Sequence, residues 1–220
     1  MTLETKSQPP EMAQRPHQIK IHGYTLSDDY FWFRDKEDPE VIPHLKRENE
    51  YVETTLKPFQ QTQNKILEEL KLRIKEDDES FPWKVNEYFY YWREIPGQEY
   101  KVYCRKKGSI NATEQVILDL NVEAKNHNYL KLGFFEVSPN NKTVAYSLDT
   151  DGSEKYKIYF KDMESGKVHP QVLDNAYYSL AWANDNKTVF FTQLNEKLRP
   201  DRVLTYKLGQ PSKTSEIIFT

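Results

Sequence analysis

An internal repeat constrains this chain more than any other feature. Asn141-Lys142-Thr143-Val144-Ala145-Tyr146-Ser147 recurs as Asn186-Lys187-Thr188-Val189-Phe190-Phe191-Thr192, a shift of 45 residues. Val137 aligns with Trp182 at the same shift, and Ile158 with Val203. A period of about 40–50 residues, each unit holding short strands and polar turns, is the signature of β-propeller blades. A chance match between two hairpins with a common turn would not carry the register into the following strand.

The surrounding pattern agrees. Runs rich in aromatic and β-branched residues at 88–93, 100–105, 116–120, 144–148 and 156–160 predict strands. Turn sequences separate them: Pro96-Gly97, Lys107-Gly108, Pro139-Asn140-Asn141, Asp151-Gly152 and Ser165-Gly166. Residues 88–105 read as an earlier, divergent copy of the repeat. The expected fold is therefore mainly β, a partial propeller of about two to three blades, where closed propellers usually have 4–8.

The first part of the chain differs. Prolines at 9, 10 and 16 predict an irregular arm up to about residue 38. Asp38-Pro39 then suits a helix start, with the aspartate as cap and the proline in the first turn. Val41, Leu45, Tyr51, Val52 and Leu56 mark one apolar face, and Pro58 forces a break. A second helix is predicted from Phe59 into Lys75, striped by Phe59, Ile66, Leu70 and Ile74. Two such helices bury little by themselves and need another surface to pack on. The expected division is an arm with two helices at 1–78 and the start of a propeller at 79–220.

Several function classes are disfavoured. The net charge is −3 with no basic stripe, which argues against nucleic acid as a partner. The residues at 1–16 are polar and charged, and no apolar run reaches the length of a membrane span, so a soluble, cytoplasmic protein without a membrane partner is expected. Cys104 is the single cysteine, which rules out an internal disulfide or a cysteine-based zinc site. The triplets beginning at Asn111, Asn141 and Asn186 would matter as glycosylation sites only in an exported protein.

Catalytic patterns are also missing from these residues. No serine lies in G-x-S-x-G, the strained turn that an α/β-hydrolase nucleophile requires. His17, His22, His44, His127 and His169 fall in the arm, the first helix or predicted loops, and are read as solvent-facing or locally bonded. No histidine pair has metal-ligand spacing, and seven glycines supply no phosphate loop. The acidic run Glu76-Asp77-Asp78-Glu79 reads as a solvated helix end, and 149–154 lacks the acidic ladder of a calcium loop. Tyr88 to Trp92 could suggest a nucleic-acid stacking platform, but strand alternation and blade packing assign these rings to a core. No catalytic, cofactor-binding or metal-binding residue is assigned, and no cofactor is expected.

Asp28-Asp29-Tyr30-Phe31-Trp32-Phe33-Arg34-Asp35, Pro39-Glu40-Val41 and Glu48-Asn49-Glu50-Tyr51 resemble the opening of prolyl oligopeptidase family enzymes. Arg34 is more similar to the oligopeptidase B branch. The resemblance continues through Arg73-Ile74-Lys75-Glu76-Asp77-Asp78-Glu79-Ser80, Leu118-Asp119-Leu120-Asn121, Val137-Ser138-Pro139 and 149–156, in family order. It implies a serine-type endopeptidase in which a seven-bladed propeller covers an α/β-hydrolase domain bearing a Ser-Asp-His triad. It also implies short peptides as substrates, cleaved after Arg or Lys, with the propeller restricting access. On this reading the arm and helices belong to the hydrolase side, and the triad lies beyond Thr220. The alternative is a free-standing β-repeat module that binds peptides or a partner protein without catalysis.

Overall fold

The structure is a computed structural model that describes residues 8–220; the first seven residues of the expected arm lie outside the described residues. The chain separates into two compact units, one ending at Ile74 and one beginning at Lys75.

The first unit corrects the expectation of an irregular arm. His17–Ile21 (β1) and Tyr24–Asp28 (β2) form an antiparallel hairpin with Ile21 opposite Tyr24. Its two-residue turn is His22-Gly23, both at positive φ (50° and 81°), which matches the right-handed twist of the strands. The prolines precede this hairpin and do not interrupt it. Arg15 ties the segment together: its guanidinium lies 3.8 Å from the Trp32 ring and pairs with Asp38 at 2.7 Å and Glu40 at 2.6 Å.

Val41–Leu56 forms α1 and Gln60–Lys71 forms α2, joined by a short 3-10 turn that contains Pro58. The first helix starts two residues later than expected, with Glu40 at its cap position and no side-chain cap; Asp38 instead accepts the Glu40 N–H at 2.9 Å in the turn that leads into it. The second helix stops at Lys71, short of the expected Lys75, and Arg73 and Ile74 close tight turns instead. The acidic run that follows opposes the helix dipole at this end. Leu45, Val52, Leu56, Phe59, Ile66 and Leu70 remain exposed, so both helices carry an uncovered apolar stripe.

The second unit is built of antiparallel strands, as the repeat implied. Trp83–Val85 (β3), Tyr88–Arg93 (β4), Val102–Lys107 (β5) and Glu114–Asp119 (β6) form a four-stranded meander. A one-turn helix, Leu120–Glu123 (α3), is capped by Asp119, which accepts the Asn121 N–H at 2.9 Å. Next come Lys131–Val137 (β7), Thr143–Asp149 (β8), Tyr156–Asp162 (β9), Leu173–Trp182 (β10), Thr188–Leu194 (β11), Pro200–Lys207 (β12) and Glu216–Phe219 (β13), hydrogen-bonded in sequence order into one sheet.

That sheet is two blades sharing a strand. The first part of β10 pairs with β9 (Leu173 opposite Ile158), and the second part pairs with β11 (Leu180 opposite Phe191, Trp182 opposite Val189). Ala176 belongs to both pairings, where the register shifts. The described residues thus hold three four-stranded blades, β3–β6, β7 to early β10, and late β10 to β13. The fold is the expected mainly β, partial propeller preceded by helices.

Turn hydrogen bonds repeat with the sequence. Ser138 donates its N–H to Thr143 O and Ala183 to Thr188 O, each at 2.8 Å. Met163 donates to Lys142 O, and Leu208 to Lys187 O, also at 2.8 Å. The first blade has the same bond from Gly108 to Glu87 O at 2.7 Å, displaced by 55 residues (87 to 142, 108 to 163). Asn86, Asn141 and Asn186 occupy the equivalent left-handed position with φ of 55°, 58° and 61°. Asparagine tolerates that conformation better than other non-glycine residues, which explains why the repeat keeps it.

Two main cores lie between blades. Phe134, Ala145, Ile158, Phe160, Leu173, Val189, Phe191 and Tyr206 fill the space between the second and third. Tyr90, Ile117, Leu118, Val144, Tyr146, Leu148 and Met163 fill that between the first and second. Among the described residues no helix is long and apolar enough to cross a membrane.

Candidate functional site

Ring contacts are seen at His17 and His44, whereas His22, His127 and His169 are placed by backbone turns and bonds. His17 stacks on Phe31 with ring centroids 4.0 Å apart, and His22 forms the hairpin turn. His44, buried on α1, meets Phe33 edge-on and places Nε2 3.3 Å from Glu48 Oε1. His127 follows a 3-10 turn, and the His169 N–H bonds Phe160 O. Among the described residues no histidine ring bonds a serine hydroxyl, and no group of three or more His, Cys, Asp or Glu side chains is placed to hold a metal. An open cleft of about 710 Å³ in the first unit is lined by residues including Tyr30, His44 and Glu48, with no nucleophile beside them.

The 149–154 loop uses its acids for structure. Asp149 is fully buried and accepts the N–H groups of Asp151 at 3.1 Å, Gly152 at 2.9 Å and Glu154 at 2.9 Å. A carboxylate saturated in this way organises its own turn and leaves little for a cation.

Strand alternation divides the aromatic run. Tyr88 and Tyr90 face the second blade, and Tyr91 faces the opposite side with Val102 and Cys104. On that side Arg93 forks onto Glu114, Nη2 to Oε1 at 3.0 Å and Nε to Oε2 at 3.1 Å, while the Tyr91 hydroxyl donates to the same carboxylate. Arg93 holds the Glu114 carboxyl below its ordinary range, against the effect of burial. Burial pushes the Cys104 thiol up to about 12, so it stays protonated and unreactive.

The most concentrated polar chemistry lies between the first and second blades. Arg105 projects from β5, is only 4% exposed, and forms no ion pair among the described residues. Its Nε donates to Gln115 Oε1 at 2.8 Å and its Nη1 to Asn141 O at 2.6 Å, with Met163 Sδ at 3.7 Å. The guanidinium also packs 4.2 Å from the Tyr88 ring. Tyr90 donates its hydroxyl to Asn141 Oδ1 at 2.8 Å, and Gln115 Nε2 donates to Met163 O. Sequence reasoning missed this group because an arginine inside a strand reads as solvent-facing; the one available signal is that Arg105 shares its face with Tyr103, an inward aromatic.

The architecture described has clear relatives. The profile of the family described as "Prolyl oligopeptidase, N-terminal beta-propeller domain" matches residues 10–220. The chain is 33% identical to dipeptidyl aminopeptidase BI of Pseudoxanthomonas mexicana, covering 99% of this chain and 33% of that protein. It is 31% identical to protease 2 of Moraxella lacunata, covering 93% and 31%. Among solved structures, oligopeptidase B from Leishmania major superposes with a TM-score of 0.88 at 29% identity, over 96% of this chain and 32% of that one. Oligopeptidase B from Trypanosoma brucei with covalently bound antipain, in its closed form, gives 0.87 at 26% identity, over 97% and 32%. The chain spans about a third of the length of these relatives. It belongs to the prolyl oligopeptidase family of peptidases and corresponds to the N-terminal β-propeller portion of that family.

Proposed function

We propose that this chain is the propeller-bearing portion of a serine-type oligopeptidase that cleaves short peptides after Arg or Lys, with the blades limiting access by folded proteins. The observation that carries the reading is the family match over residues 10–220, on a chain that spans about a third of its peptidase relatives. The Ser-Asp-His triad, the oxyanion donors and the acidic groups that read a basic side chain belong to an α/β-hydrolase domain outside residues 1–220. Residues 1–78 form the hydrolase-side segment and 79–220 the start of the propeller. The exposed stripes of α1 and α2 give that domain an apolar surface to cover. The Arg or Lys preference follows the likeness to oligopeptidase B. The enzyme is read as cytoplasmic, a setting in which the buried Cys104 thiol of this chain stays reduced.

The test is to express the chain with the remainder of its reading frame and assay fluorogenic peptides bearing Arg, Lys or Pro before the scissile bond. Turnover of the Arg and Lys peptides, abolished by a serine-directed inhibitor, is the expected result. A frame without G-x-S-x-G, or a product that cuts after Pro but not after Arg, would overturn the reading. Peptides with a blocked and a free amino end separate endopeptidase action from dipeptide release, the activity in the name of one relative.

A further inference from the structure

The two seams between blades are built differently. Across the second, β10 is hydrogen-bonded on one side to β9 and on the other to β11, so a backbone ladder passes from blade to blade. Across the first, β3–β6 and β7–β13 are separate sheets. Side chains join them: Arg105 and Tyr90 reach Asn141, Gln115 reaches Met163 O, Asn86 Nδ2 reaches Pro139 O at 3.0 Å, and Lys161 Nζ reaches Ile117 O at 2.8 Å.

Arg105 is the hub of this set, and its position is costly. A guanidinium removed from water with only neutral acceptors recovers less of its hydration than one paired with a carboxylate. A large apolar side chain would fill the same space without that cost. What the arginine adds is geometry: a rigid fork that bonds its own blade through Gln115 and the next blade through the Asn141 carbonyl. That carbonyl belongs to the left-handed residue of the turn, so releasing it frees the turn as well as the seam.

We propose that Arg105 is a latch, and that the first seam is the joint at which neighbouring blades in this chain part, with Arg105 setting how often it opens. The second seam, carried by a shared strand, moves as one body.

Amide hydrogen exchange on the intact chain tests this, because the repeat supplies matched reporters. The Ser138 and Met163 amides bond within the second blade, at the turn that Arg105 and Gln115 hold from the first, and so report its release; those of Ala183 and Leu208, which make the same bonds 45 residues later, serve as controls. Arg105→Ala is expected to speed exchange at Ser138 and Met163 by about tenfold or more, while Ala183 and Leu208 stay within about twofold. Equal acceleration of both sets would make Arg105 an ordinary core residue and overturn the latch, as would no acceleration at all. Arg105→Met keeps the volume and protects the fold if the alanine variant is too unstable; it is expected to retain the wild-type melting temperature within a few degrees and still speed the first-seam amides selectively. First-seam protection unchanged in Arg105→Met would contradict the proposal.

Discussion

The second seam is backbone-linked over an apolar core, with its side-chain bonds, Trp182 to Glu136 and Asn140 to Asn186, at exposed positions, whereas the first combines an apolar core with buried polar bonds. Phe160 shows the former: it is fully buried, stacked on Tyr206 at 5.8 Å and edge-on to Trp182 at 5.9 Å, with no polar group to satisfy. Arg105 shows the latter, where each contact depends on direction as well as proximity. Hydrophobic burial tolerates small displacements, and a buried hydrogen bond does not. Stability is thus expected to concentrate at the second seam and positional control at the first.

The largest expected effect comes from Phe160→Ala, which should cost about 3–5 kcal/mol in a urea titration by opening a cavity where the ladder cannot collapse. A loss near that of an exposed site would show that the second seam is not the stability core. Gly133→Ala comes next. Gly133 lies on β7 where its pairing with β8 shifts, and an added Cβ would meet the Ser147 hydroxyl and sit 2.8 Å from the Tyr156 ring. Overpacking of this kind should cost about 1–3 kcal/mol by the same measurement.

Asn141→Ala and Asn186→Ala form a matched pair that sharpens the comparison. Both residues have positive φ, but Asn141 is buried and accepts the Tyr90 hydroxyl, while Asn186 bonds the Asn140 N–H at an exposed turn. The first substitution should cost about 2 kcal/mol and the second about 1 kcal/mol or less. Equal losses would mean that backbone strain, not the seam bond, dominates at both.

The smallest expected effect is a pH dependence on the outer face of the first blade. The folded-state pKa of Glu114 is depressed, chiefly by the Arg93 hydrogen bonds. Its stabilisation is therefore present above the ordinary carboxylate range and is lost as pH falls through the lowered folded value. Because both side chains are about one-third exposed, the contribution should stay below about 1 kcal/mol. Glu114→Gln should flatten the acid limb of stability measured by urea titration, and an unchanged limb would assign acid sensitivity elsewhere. Cys104 offers a convenient readout, since thiol reagents should modify it only as the chain unfolds.

Much of this fold was legible in the sequence, for reasons that differ by element. β4, β8 and β9 carry dense aromatic and β-branched runs, and the Asn-Lys-Thr repeat marked the turns of two blades. β3 escaped notice because its three residues are too short to show a pattern. β7 has Gly133 within its shift of register, and β10 faces different neighbours along its length, so neither keeps a simple alternation. The β1–β2 hairpin was hidden by nearby prolines, although His22-Gly23 was a readable turn. Arg105 was the hardest to see, because a buried charge with neutral acceptors is defined by the neighbouring blade and not by its own strand.

The proposal that these blades restrict access to an oligopeptidase is tested most directly by a size comparison on the intact enzyme. A ten-residue peptide and a folded protein displaying the same Arg-containing segment in a loop would be supplied at equal concentration. Cleavage of the peptide is expected with at least about a hundredfold higher kcat/KM than that of the folded protein, a selectivity set by access. Comparable cleavage of both would contradict it.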